Sequence, residues 1–144
     1  QTVGERSRIE ADDLVAECWQ LIETGDATVD CVDPFSFQGD PDRVQHVFEN
    51  LFRNSIEHGP ATVTITVGRL EDGNGFYIAD DGPGILPEER EDVFDPGHTE
   101  QAEGTGFGLA IVKRIAEAHG WSVTLTDSTS GGVRFEFAGV DLVD

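Results

Sequence analysis

The amino-acid sequence predicts an α+β sandwich, with helices on one face of a mixed sheet. Three observations predict it. Apolar residues recur at helical spacing in three separate segments. Two pairs of alternating segments read as hairpins. The order of helix, two strands, helix, hairpin, loop, helix and hairpin lacks the regular βαβ alternation of a doubly wound sheet. At 144 residues and 38% apolar content, the chain suits one domain with its own core.

Residues 1–11 are polar and read as frayed. Asp12 or Asp13 caps a helix running to about Ile22, with Leu14, Val15, Cys18, Leu21 and Ile22 on one face. Gly25-Asp26 turns the chain into a strand from Thr28 to Val32, and a short second strand follows from Phe35 to Gln38. Asp40-Pro41 opens the most strongly marked helix, because Asp is a good N-cap and Pro suits the first helical position. Val44, Val47, Phe48, Leu51, Phe52 and Ile56 form its apolar stripe, and Gly59-Pro60 ends it. Asn50, Asn54, Glu57 and His58 share another face. A solvated polar face is the plain reading, yet two Asn residues are poor choices for a helix interior.

Ala61 to Arg69 and Gly75 to Ala79 alternate as a hairpin around the loop Glu71-Asp72-Gly73-Asn74. Pro87 to Val93 suits one or two helical turns, and Phe94 to Gly104 has the loop-rich character of a mobile lid. A third helix runs from Gly106 or Phe107 to His119, apolar at Leu109, Ile111, Val112 and Ile115. Trp121–Thr126 and Gly132–Phe137 close the chain as a second hairpin.

Charge narrows the function classes. With 29 acidic against 9 basic residues the net charge is −20, and Lys113 is the single lysine. Such a surface repels nucleic acid and anionic lipid. It suits a salt-rich, halophilic cytoplasm, where repulsion is screened. No stretch approaches the length of a membrane-spanning helix, and there is no signal peptide, so no membrane contact by this domain is expected. The chain starts at Gln1 and holds no Met, which reads as a piece of a longer protein. Cys18 and Cys31 lack metal-ligand spacing and read as reduced and buried, with a disulfide joining helix to strand as the alternative.

Two glycine motifs stand out. Asp80-Asp81-Gly82-Pro83-Gly84-Ile85 follows a strand, which aims the first carboxylate, and its glycines let a ligand lie against the backbone. Gly104-Thr105-Gly106-Phe107-Gly108-Leu109 precedes a helix, where exposed N–H groups and the helix dipole favour phosphate. It matches neither a P-loop nor a dinucleotide fingerprint. Each motif alone is equally readable as an ordinary loop.

Together the segments resemble one family. Asn50-Leu51-Phe52-Arg53-Asn54-Ser55 resembles the N box of sensor histidine kinases, and Asp80 to Ile85 their G1 box. Phe94-Asp95-Pro96 is similar to the start of their F box, Gly104 to Leu109 to their G2 box, and Gly131 to Phe137 to their last hairpin. The resemblance covers about residues 40–137, in family order and spacing. It is to the catalytic, ATP-binding domain of two-component histidine kinases, within the superfamily shared with gyrase, heat-shock chaperone and mismatch-repair ATPases.

The resemblance implies a Bergerat-type two-layer sandwich, with about five strands covered on one face by three helices, and a mobile ATP lid. It implies that Asp80 accepts the adenine amino proton while Gly82, Gly84 and Ile85 face the base. Asn54 would bind Mg²⁺, Asn50 would support metal and phosphates, and His58 would lie beside the adenine or ribose. Gly104, Thr105, Gly106, Phe107, Gly108 and Leu109 would cradle the phosphates of ATP. Glu49 keeps open the glutamate base of a gyrase-type ATPase. Glu57 stands where a basic residue is usual, Glu100 and Glu103 make the lid acidic, and Gly97 replaces a lid aromatic. None of His46, His58, His98 and His119 has the context of a phosphoacceptor. The acceptor would lie in an upstream dimerisation domain, of which residues 1–11 would be the tail and 12–144 the catalytic domain. A response regulator receiver domain would be the next partner, in the cytoplasm. An anti-sigma-type serine kinase or a non-catalytic nucleotide-binding module remains the alternative.

Overall fold

A computed structural model describes residues 7–58, 61–82, 109–127 and 131–143. The described elements are β1 (Ser7–Glu10), α1 (Ala11–Leu21), β2 (Thr28–Cys31), β3 (Ser36–Gly39), α2 (Pro41–His58), β4 (Thr64–Arg69), β5 (Gly75–Asp80), α3 (Leu109–Ala118), β6 (Ser122–Asp127), β7 (Val133–Ala138) and β8 (Leu142–Val143).

Five strands form a mixed sheet in the order β2-β4-β5-β7-β6. β2 and β4 run parallel, with Thr28 opposite Thr64, and the chain between them carries β3 and α2. A parallel pair requires such a crossover. The other neighbours are antiparallel, as the two expected hairpins demand. The fold class read from the sequence is therefore the one observed.

Period-2 alternation sorts the sheet into two faces. Ile65 and Val67 of β4, Phe76 and Ile78 of β5, and Phe135 and Phe137 of β7 are buried in one core with the three helices. Tyr77, Arg134 and Glu136 lie on the opposite face, where the Arg134 guanidinium sits 4.0 Å above the Tyr77 ring. Phe76 is the hub of the core. It stacks on Phe137 at 4.9 Å and Phe35 at 5.5 Å, and meets Phe48 at 5.7 Å and Trp121 at 6.0 Å. Aromatic contacts add to a large apolar burial. Truncating such a ring to Ala costs about 3–5 kcal/mol. This hub fixes β5 against α2, and β5 ends at Asp80.

Three local readings are corrected. Ser7–Glu10 is not frayed: β1 pairs antiparallel with β3, and the Ser36 hydroxyl donates to Glu10 at 2.6 Å. β3 does not join the main sheet; with β1 and β8 it forms a second sheet of three strands. The first helix starts at Ala11 without a side-chain cap, and Leu21, read as apolar face, is 63% exposed. The expected turns at Pro87–Val93, the lid, and the start of the third helix before Leu109 lie outside the described residues.

The two cysteines are free. Burial, with the charges of Glu49 and Glu17, pushes the Cys18 thiol up to about 12. Burial and the carboxylates of Asp12, Asp30 and Asp33 push Cys31 up to about 11.

Candidate functional site

Asp80 is the last residue of β5 and shares a face with Phe76 and Ile78, so its carboxylate turns toward the helices. It is 6% exposed. A carboxylate removed from water needs donors. Ser55 Oγ donates to Oδ2 at 2.7 Å, and the backbone N–H groups of Gly82 and Val133 donate to Oδ1 at 3.0 and 3.3 Å. Gly132 gives the carboxylate its room, since a Cβ there would collide with the Asp80 side chain and carbonyl. The neighbouring Asp81 points elsewhere. It is exposed and accepts a 2.8 Å bond from the Thr64 N–H at the start of β4.

Helix α2 brings the second group. Pro41 is its first residue, and Asp40 Oδ1 accepts from the Asp42 N–H at 3.2 Å, as an N-cap does. Val44, Val47, Phe48, Leu51 and Phe52 are buried as the stripe predicts. This packing carries Asn54 and Ser55 to the sheet, each 6% exposed. Asn54 Oδ1 is buried, with no hydrogen-bond partner among the described residues. An unsatisfied buried acceptor costs about 1–3 kcal/mol. A hard cation that prefers oxygen ligands would satisfy it. Among the described residues no group of three or more His, Cys, Asp or Glu could hold a metal ion. An amide oxygen is a donor of the kind Mg²⁺ takes, beside waters and phosphate oxygens.

The remaining expected residues divide. Asn50 lies one turn before Asn54, half-buried, its Nδ2 donating to His46 O at 2.8 Å. Glu49 has both oxygens engaged on its own helix, by Gln45 Nε2 at 2.8 Å and Arg53 at 3.2 Å. Glu57 is exposed. His58 ends α2, and its side chain is not described. Leu109 opens the described part of α3 and is fully buried. Gly84, Ile85, Gly104, Thr105, Gly106, Phe107 and Gly108 lie outside the described residues. Ser55, Gly132 and the Val133 N–H were not singled out from the sequence. The available signal was Ser55 itself, a polar residue four positions beyond Leu51 on the apolar face.

The sequence matches the family described as histidine kinase-, DNA gyrase B- and HSP90-like ATPases over residues 39–143. It is 40% identical over 104 residues to the sensor histidine kinase ZraS of Escherichia coli O157:H7, covering 68% of this chain and 22% of that protein. It is 36% identical over 108 residues to the sensor histidine kinase CpxA of Escherichia coli K12, covering 70% of this chain and 23% of CpxA. The chain thus spans under a quarter of these relatives. Among solved structures, the mycobacterial sensor histidine kinase MprB superposes with a TM-score of 0.77 at 22% identity, over 96% of this chain and 97% of that one. The catalytic domain of histidine kinase ThkA gives 0.76 at 24% identity, over 96% and 98%. Both likenesses concern the fold.

Proposed function

The chain belongs to the histidine kinase-, DNA gyrase B- and HSP90-like ATPase family, and from that premise we propose that it is the ATP-binding catalytic domain of a two-component sensor histidine kinase. Two observations carry this reading: an oriented carboxylate at Asp80, and, on the helix whose Ser55 hydrogen-bonds to it, an amide oxygen at Asn54 with no hydrogen-bond partner among the described residues. The first suits the amino group of adenine, and the second suits the cation that accompanies a triphosphate. Ser55, next to Asn54 in sequence, donates a hydrogen bond to Asp80 and so links the helix of the second group to the first.

On this reading Asp80 binds the base and Gly82 leaves space beside it. Asn54 and Asn50 hold the metal end of the nucleotide. Mg²⁺, when bound, neutralises phosphate charge. His58, Gly84, Ile85 and the Gly104–Gly108 loop complete the pocket as the family resemblance implies. Phosphoryl transfer asks chiefly for positioning and charge neutralisation. The γ-phosphate would go to a histidine of a dimerisation domain of the same protein, and then to an aspartate of a response regulator. Among the described residues no helix is long and apolar enough to cross a membrane. We place the domain in the cytoplasm, where ATP and a response regulator are found.

A gyrase-type ATPase is the second reading. It needs a free carboxylate to activate water. The engagement of both Glu49 oxygens by Gln45 and Arg53 favours the kinase. Calorimetric titration of the 144-residue chain with ATP, in Mg²⁺ and in chelator, tests the site: binding that strengthens with Mg²⁺ is expected, and no binding in either condition would refute it.

A further inference from the structure

We propose that Ser55 is a positioning residue that makes Asp80 selective for an amino group over a carbonyl on the ligand's base. The proposal rests on the reading of Asp80 as the residue that meets the base.

An ionised carboxylate offers about four acceptor positions. On Asp80 Oδ1, two are filled by the Gly82 and Val133 N–H groups at 3.0 and 3.3 Å. On Oδ2, one is filled by the Ser55 hydroxyl at 2.7 Å. Among the described residues one position stays open, on Oδ2. A serine hydroxyl has a single proton. Here that proton is committed to Asp80, so what Ser55 Oγ has left is acceptor capacity alone. Together Ser55 and Asp80 present only acceptors. A base with an exocyclic amino group satisfies the open position, whereas a base with a carbonyl there meets oxygen against oxygen and leaves buried groups unpaired, which is how a polar site discriminates.

Ser55 also fills the space beside Oδ2. With Ala at this position Oδ2 would have two open acceptor sites and a void the size of a hydroxyl. A water entering there could donate one proton to Asp80 and the other to a carbonyl, so the site would tolerate either base. Gly132 holds the other side of the same carboxylate, where no Cβ can fit. The carboxylate cannot move toward it to compensate.

The test compares ATP with inosine triphosphate, which carries a carbonyl in place of the amino group, on the 144-residue chain and its Ser55→Ala variant. The wild type is expected to prefer ATP. In Ser55→Ala, ATP affinity should fall by about tenfold, the size of one charge-assisted hydrogen bond, while inosine triphosphate affinity holds or rises. The preference then collapses. General loosening of the fold would weaken both ligands together and leave their ratio unchanged, and an unchanged ratio overturns the proposal. If the wild type shows no preference and Asp80→Asn does not alter ATP binding, the reading of Asp80 falls, and the role of Ser55 with it. A wild-type preference that Asp80→Asn abolishes but Ser55→Ala preserves removes the role of Ser55 alone.

Discussion

His119 Nε2 accepts a 3.0 Å hydrogen bond from the backbone N–H of Asp40, which ties the end of α3 to the start of α2. With Nε2 accepting, the ring proton sits on Nδ1 and is donated to the Ile115 carbonyl at 2.9 Å. The ring is 3% exposed and stacks on Trp121 at 4.2 Å. The helix bearing Asn54 is thus anchored at its N-cap by the C-terminal end of α3. His119→Ala leaves the Asp40 N–H without this acceptor and removes a packed ring, so unfolding free energy should drop by about 2–4 kcal/mol. Urea denaturation measures it. A loss under about 0.5 kcal/mol, typical of surface sites, would contradict the anchor.

Asn54 should behave oppositely in the free protein. Its Oδ1 lacks a partner among the described residues, so Asn54→Ala relieves an unsatisfied acceptor and should leave stability without ligand nearly unchanged or slightly raised. The same change should remove most of the Mg²⁺-dependent part of ATP affinity, with Asn50→Ala milder. Melting curves with and without Mg-ATP separate the two effects. A variant that is destabilised yet keeps its full Mg²⁺ dependence would make Asn54 a structural residue only.

The thiols give stability a defined alkaline dependence. Cys18 in the folded chain is raised from the ordinary 9.0 to about 12, chiefly by burial. Between these values the unfolded chain releases a proton that the folded chain keeps. The associated stability is complete below pH 9 and is lost as pH rises toward 12. Cys18→Ala should flatten this decline while lowering stability at neutral pH. Equal slopes in both proteins would show that Cys18 is not responsible. A thiol-specific reagent at about pH 8 should label Cys18 only after denaturation, since the thiolate is the reactive form.

Salt should stabilise the chain. A net charge of −20 repels itself strongly at low ionic strength. In molar salt the Debye length shrinks to about 3 Å. The melting temperature should climb steeply with KCl, and a flat profile would remove the inference of a salt-rich cytoplasm.

What the sequence made legible was local. The α2 stripe and its Asp40-Pro41 start depend on neighbours within two turns, and both stand as read. That Asp80 is aimed by a strand was legible because it directly follows the run Gly75–Ala79. β1 was not legible, because Ser7, Arg8 and Glu10 are polar and only Ile9 is apolar. Its strand character comes from pairing with β3, more than twenty residues away in sequence, and from the Ser36–Glu10 bond. Leu21 followed the helical period yet is exposed, at the last residue of α1. Ser55 and Gly132 escaped notice because their roles exist only relative to Asp80, which two segments distant in sequence meet. A periodicity argument has no means of seeing such a convergence.

Label transfer from γ-phosphate-labelled ATP tests the central claim most directly. The 144-residue chain has the nucleotide site, but none of its four histidines has the setting of an acceptor. A better pocket cannot replace a missing nucleophile held in line. The chain alone should bind ATP, hydrolyse it slowly at most, and take up no label. With the dimerisation domain supplied in cis or in trans, an acid-labile, base-stable phosphate should form on a histidine of that domain. Brisk hydrolysis by the chain alone, with no label reaching that domain, would contradict the kinase account and make it an ATPase.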